Sequence, residues 1–279
     1  MILFNHLAGT VLTLAVSGTA FAGETRDIVT AAITKVMINK DVTAIGDYFA
    51  EPYVQHNQSV PTGLAAFQGL AGAVIADNPG FNYQLIRLIE DGDIAVTHGI
   101  YTGFADVPLV AFDVFRVENG MIVEHWDNLS PVAVNNPSGH SQTDGATDLV
   151  DADLTEANKA MISEFYDTVL IGGAFDKLGN YFDGDAYIQH NSNIADGLSG
   201  LVSGLQALAD AGVTMRLTRR HATYGEGNFV LVLGAGDLAG KAHAFYDLFR
   251  VENGKIAEHW DVISPITADA DAANTNGKY

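Results

Sequence analysis

The chain has 279 residues, with 34 acidic side chains against 14 basic ones, a formal net charge of −20 and no cysteine. That charge opposes binding to nucleic acid or anionic lipid, both of which need a cationic surface. The missing cysteines exclude disulfides, a thiolate nucleophile and a cysteine-based metal site.

Residues 1–22 stand apart from the rest of the chain. "LAGTVLTLAV" is an apolar run too short to span a bilayer comfortably, and Ala20-Phe21-Ala22 offers the small-x-small pattern that a signal peptidase needs. No Lys or Arg precedes Arg26, which departs from the usual pattern. The expectation is a signal peptide over 1–22, a periplasmic or secreted protein, and no membrane contact after cleavage.

From Arg26 to Asn39, apolar residues recur at Ile28, Val29, Ala32, Ile33, Val36 and Met37, the spacing of one buried helix face. A second short helix runs to Phe49. "PYVQHN" alternates like a strand, and Gly63 to Ala76 returns to helical, Ala-rich character. Four strands come after Asn82, with Asn119-Gly120 predicting a tight hairpin between the last two. "NNPSGHSQTDGATD" then reads as a linker, rich in turn residues.

The same order begins again at Leu154. His259 lies 134 positions after His125, and His190 lies 134 after His56. Phe112 to Asp127 and Tyr246 to Asp261 share twelve of sixteen residues, where unrelated segments would share about one. A unit of this length is a domain rather than a solenoid repeat. The chain therefore divides into domain 1 over 24–135, a linker over 136–153, domain 2 over 154–268 and a flexible tail over 269–279. Helices followed by an antiparallel meander give an α+β class, with helices on one face of a curved sheet around a pocket.

"YIQHNSNIADGLSGL" followed by "DLFRVENGKIAEHWDVISP" resembles the SnoaL-like branch of the nuclear transport factor 2-like superfamily. The resemblance covers nearly all of both copies. It implies two tandem cone-shaped domains, each of three helices on a curved, mostly antiparallel sheet. Members include polyketide cyclases, ketosteroid isomerases, dehydratases and proteins with no chemistry, so the fold alone does not choose an activity.

Pairing across Asn119-Gly120 as a two-residue turn sets Phe115 opposite Glu124 and Asp113 opposite Trp126. Alternation then lines the pocket with Asp113, Phe115, Glu124 and Trp126, and in the second copy with Asp247, Phe249, Glu258 and Trp260. His125, Asp127, His259 and Asp261 fall on the opposite face, where the two copies would pair as an intramolecular pseudo-dimer. A β-bulge would reverse this and bring them into the pocket. Because Val54 reads as core-facing, His56 points inward, and so does His190.

The resemblance adds roles to these positions. A ketosteroid isomerase carries its general base where the "QHN" histidine falls, and an acidic hydrogen-bond donor where "D-x-F-R" places its Asp. Its first-helix Tyr matches Tyr166 but Ile33 in the first copy. His190, Asp247 and Tyr166, with His56 and Asp113, are thus the catalytic candidates, and turnover is expected mainly in domain 2. An imidazole can take a proton from carbon next to a carbonyl if nearby donors hold the enolate oxygen. The expected partner is a small apolar or carbonyl-bearing molecule, with no cofactor and no metal. A ligand-binding pocket without turnover and an assembly role remain open beside catalysis.

Overall fold

A computed structural model describes residues 23–279. The expected signal peptide lies outside the described residues. Helix α1 (Glu24–Ala32) runs on as a wider-wound turn over Ile33–Ile38 and buries Val29, Ala32, Ile33 and Val36. Then come α2 (Ile45–Tyr48), β1 (Phe49–Gln55) and α3 (Leu64–Ala71), followed by β2 (Asn82–Asp91), β3 (Ile94–Thr102), β4 (Leu109–Glu118) and β5 (Met121–Pro131). The second half repeats the plan with α4 (Thr155–Phe165), β6 (Ile188–Gln189), α5 (Gly197–Asp210), β7 (Met215–Glu226), β8 (Phe229–Leu238), β9 (Lys241–Glu252) and β10 (Lys255–Pro265). Among the described residues no helix is long and apolar enough to cross a membrane.

The strands form two five-stranded sheets, ordered β1-β5-β4-β3-β2 and β6-β10-β9-β8-β7. All neighbours are antiparallel except the first pair of each sheet, where β1 runs parallel to β5 and β6 to β10. The fold class is α+β as expected. In each sheet one face packs on its own helices: Phe115, Val117 and Ile122 meet α1 and α3, while Phe249, Val251 and Ile256 meet α4. The other faces pack against each other, with Val110, Phe112 and Val114 beside Tyr246, Leu248, Trp260 and Val262. Each such side chain contributes about 2 kcal/mol by leaving water. Asn128 ties this layer together by donating to the carbonyls of Ala244 and Val262.

The predicted Asn119-Gly120 hairpin forms, with both residues at positive φ and Glu118 opposite Met121. Two residues further, the expected register fails. Val117 faces Ile122, but Arg116 faces Glu124, so Val123 is an extra residue in β5. Ala257 repeats the bulge in β10, where Ile256 faces Val251 and Glu258 faces Arg250. One inserted residue turns every later side chain to the other face. Phe115 therefore pairs with His125 and Asp113 with Asp127.

The two connecting segments differ from expectation. The linker crosses onto domain 2, where the Ser141 carbonyl meets His190 Nδ1 at 2.7 Å and Trp260 Nε1 donates to the Asp144 carbonyl at 2.9 Å. Arg87 of β2 donates to the carbonyls of Thr143, Asp144 and Ala146 and lies 4.2 Å over the Trp260 ring. The tail, expected to be flexible, crosses the other way. Asn274 donates to the carbonyls of Asn57 and Val60, Asn276 to that of Gln55, and the Gly277 carbonyl meets His56 Nδ1 at 3.1 Å. Its asparagines satisfy backbone groups after β1, an anchoring that leaves no apolar periodicity to read.

Candidate active site

The bulge at Val123 decides which side chains meet inside domain 1. It sends His125 and Asp127 to the helix-covered face, beside Asp113 from β4 and Phe115, whose ring stacks on His125 at 4.8 Å. Parallel pairing of Gln55 with His125 brings Gln55 to the same face. All four polar groups are buried. His125 Nε2 lies 3.1 Å from Asp113 Oδ1, and its Nδ1 lies 2.9 Å from Gln55 Oε1.

Gln55 fixes the tautomer of that histidine. Its Oε1 already accepts the Asn57 backbone N–H at 2.8 Å, so the atom is an oxygen and His125 Nδ1 must donate to it. Nε2 then faces Asp113, and the 3.1 Å contact needs one proton between the two atoms. Tyr101 donates to Asp113 as well, at 3.1 and 3.2 Å to the two oxygens. Burial raises the Asp113 carboxyl above its ordinary range, against the pull of its hydrogen bond from the His125 ring. Asp113 and His125 thus form a buried pair that carries a proton. Asp127 stands next to it with Oδ2 taken by Asn57 Nδ2 at 2.6 Å and Oδ1 free of any hydrogen bond.

Domain 2 repeats the trio of Asp113, His125 and Asp127 with Asp247, His259 and Asp261. His259 lies between Gln189 Oε1 (3.0 Å) and Asp247 Oδ1 (3.1 Å), and Asn191 holds Asp261. The Asn191 backbone N–H again marks Gln189 Oε1 as an acceptor. Tyr166 donates to Asp247 Oδ2 at 2.9 Å, so the Tyr-Asp pairing expected in this domain is present. Domain 1 draws its tyrosine from β3 instead: Tyr101 faces Leu109 in the sheet, whereas Gly236 occupies the matching place opposite His243. The absence of a helix tyrosine at Ile33 therefore does not leave domain 1 short of a donor.

Six residues expected in the pocket lie on the back face. His56 Nε2 meets Glu124 Oε1 at 2.8 Å, Arg116 Nε donates to Glu124 Oε2 at 2.8 Å, and the His56 ring stacks on Trp126 at 4.7 Å. His190, Glu258, Arg250 and Trp260 repeat this set at 2.8, 2.7 and 4.7 Å. Phe115 and Phe249 stay on the pocket side, since they precede the bulge. Sequence reasoning missed Tyr101, Gln55, Gln189, Asn57 and Asn191. The doubled "QHN" was the available signal, because its Gln and Asn hold the pocket while its His does not.

In domain 1 the trio opens onto a cavity of about 60 Å³ between Met37, Phe67, Ala71, Ile75 and Phe81. That is room for about four water molecules, hence for a small ligand. A second space of about 390 Å³ adjoins it, sharing Asn57, Val60 and Asp127 and bounded by Ser264, Thr267 and Lys278. In domain 2 a groove of about 710 Å³ runs between α5 and β7, lined by Leu170, Phe175, Leu205 and Met215, and the trio is not part of its wall.

Residues 29–125, from α1 to the first trio histidine, match the family model for the SnoaL-like domain. This stretch is a SnoaL-like domain. Its second copy in the chain repeats it strand for strand. Among solved structures, TsrD from Streptomyces laurentii is similar at 16% identity, covering 40% of this chain and 91% of its own, with a TM-score of 0.35. A protein of unknown function from Mesorhizobium loti, described as NTF2-like, shows 24% identity over 39% of this chain and 93% of its own, TM-score 0.35. A putative ketosteroid isomerase from Kribbella flavida shows 19% identity over 48% and 95%, TM-score 0.35. No curated protein matches the chain.

The donor atoms of Asp113, His125 and Asp127 lie within 4.8 Å of one another, as do those of the second trio, a spacing that a cation could bridge. In domain 1 the Asp113–His125 hydrogen bond occupies two of those donors, and the Lys278 ammonium lies 3.8 Å from Asp127 Oδ1. In the second copy no lysine is paired with Asp261 among the described residues. Burial raises its carboxyl to about 6, with repulsion from Asp247 adding to this and His259 and Asn191 opposing it. Burial works against a charged His259 ring, yet the hydrogen bond to Asp247 and the two carboxylates raise it overall.

The sign for stability comes from proton linkage. A carboxyl whose folded value exceeds its unfolded value binds more protons when folded, so stability falls as pH rises from about 4 to about 6. The cost above that window is about 3 kcal/mol. Asp261→Asn keeps an oxygen for Asn191 and should remove this loss, so that the variant gains on the wild type as pH rises from about 4 to about 6 and keeps that gain above it. Urea midpoints of both proteins between about pH 4 and 8 measure it, and parallel curves would refute the assignment.

Proposed function

We propose that the protein is an acid/base catalyst of proton transfer, of isomerase, cyclase or aldol type, acting on a small carbonyl-bearing molecule in the domain 1 cavity. The observation that carries this is the buried Asp113–His125 pair with its single proton, next to an Asp127 oxygen that no hydrogen bond occupies. A free carboxylate oxygen is a base for a proton on carbon next to a carbonyl, and the adjacent pair is an acid for the enolate oxygen that forms. Gln55 keeps the ring aligned and Tyr101 holds Asp113. The remaining walls, among them Met37, Phe67, Ala71, Ile75 and Phe81, are apolar and suit a substrate with little charge.

The test is hydrogen exchange in D2O with a panel of small ketones and 1,3-diketones, followed by proton NMR. Protein-dependent loss of the C–H signal next to the carbonyl is expected. Exchange at the buffer rate with every probe, in folded protein, would sink the reading.

A second reading, ligand binding without turnover, is favoured for domain 2, whose large apolar groove leaves out the trio. The back-to-back sheets fit an internal pseudo-dimer, in which one chain supplies both halves. Export through the leader at 1–22 belongs to the same proposal. N-terminal sequencing from the native host should begin at Gly23, and an intact Met1 would count against it.

A further inference from the structure

Lys278 is launched from domain 2 and ends in the wall of the domain 1 vestibule. Its side chain is only 9% exposed, and Nζ donates to the Asp127 backbone carbonyl at 2.6 Å. The nearest carboxylate oxygen is Asp127 Oδ1 at 3.8 Å, the same atom that lacks a hydrogen bond. The aromatic ring of Tyr246 lies 5.9 Å away. A largely buried amine beside a carboxylate, at the mouth of the domain 1 cavity, has the setting in which lysine acts as a nucleophile.

We propose that Lys278 is a carbonyl-capturing amine, forming a Schiff base with an aldehyde or ketone in the vestibule of domain 1. This rests on the reading of that cavity as a carbonyl site. Asp127 Oδ1 accepts the proton that frees the ε-amine. The amine nitrogen attacks the carbonyl carbon, a C–N bond forms, and the oxygen becomes the hydroxyl of a carbinolamine. The C–O bond then breaks with a proton returned through Asp127, water leaves, and a protonated C=N bond remains. No electrons are gained or lost overall. Burial lowers the Lys278 ammonium from its ordinary value, although Asp127 pulls the other way, which eases the first step.

Lys159, by contrast, is held charged: burial is outweighed by its bonds to Asp91 and Glu156, and its value is raised. Lys35, Lys177 and Lys241 are exposed to water. They serve as internal controls.

The experiment is trapping with butanone and sodium borohydride at neutral pH on the full chain, read by peptide mass spectrometry. Reduction of the C=N bond leaves a stable alkyl group on the nitrogen. Labelling at Lys278 should exceed that at Lys35, Lys177 and Lys241 by about tenfold or more. Lys278→Arg keeps the charge and should lose the excess, and Asp127→Asn should slow it. No excess at Lys278, with ketone exchange in D2O intact, would overturn this proposal alone. Failure of both trapping and exchange would overturn the carbonyl-site reading with it.

Discussion

Replacing Glu258 with alanine is expected to destabilise domain 2 by about 3 to 5 kcal/mol, while Glu124→Ala should cost domain 1 about 1 kcal/mol. The sequence context is nearly the same, so the difference comes from burial. The Glu258 side chain is 1% exposed and binds Arg250 and a fully buried His190. Removing it leaves His190 Nε2 and Arg250 Nε without their acceptor, the first of them beyond the reach of water. Glu124 is 18% exposed and its Arg116 partner 30%, so water can replace what is lost. Urea unfolding of the two variants and the wild type, followed by tryptophan fluorescence, measures the two losses side by side. Equal losses in the two domains would defeat the argument. Burial alone would raise the Glu258 carboxyl, yet hydrogen bonds from His190 and Arg250 overcome it and hold it below its usual value. Its contribution is therefore present above about pH 4.3 and is lost as pH falls through the lower folded value.

In the exchange assay, His125→Gln and Asp127→Asn should each reduce the rate by about 100-fold or more, as expected for a positioned acid or base. His56→Ala should leave the rate per folded molecule within a few fold, because its ring stacks on Trp126 on the back face. His56, just after β1, and His125, on the neighbouring β5, face opposite sides of one sheet and thus separate in one measurement. Comparable losses from His56→Ala and His125→Gln, with both proteins folded, would mean that the faces are assigned the wrong way round. Each variant needs a thermal melt beside it, since all these side chains are buried.

Much of the architecture was legible from residues alone. The 134-residue offset gave the duplication, Asn119-Gly120 gave the hairpin, and the helical spacing from Ile28 to Met37 gave the first helix. The faces of β5 and β10 were not legible. Met121, Ile122 and Val123 are all apolar, so no alternation marks which of them is the inserted residue, and a bulge there inverts Glu124 through Asp127 together. The error over His56 has a related source. Tyr53 is buried on the pocket side where Val54 was expected, and a strand with Tyr and Val on opposite faces offers two apolar choices. Tyr101 looked like one more strand aromatic, since its bond to Asp113 depends on a pairing that no local pattern states. Asn274 and Asn276 gave no signal either, because their partners lie more than 200 positions away.

The two crossing segments make the halves unequal when the chain is cut. A fragment of residues 136–279 would retain the Ser141–Ala146 strap over its own His190 and Trp260, although Arg87 would be gone. A fragment of 23–135 would have nothing over His56, no asparagines on the loop after β1, and no amine at its cavity mouth. Cleaving a duplicated protein between its copies would therefore yield one nearly whole domain and one incomplete one. The repeat boundary in the sequence is not the boundary between independent bodies.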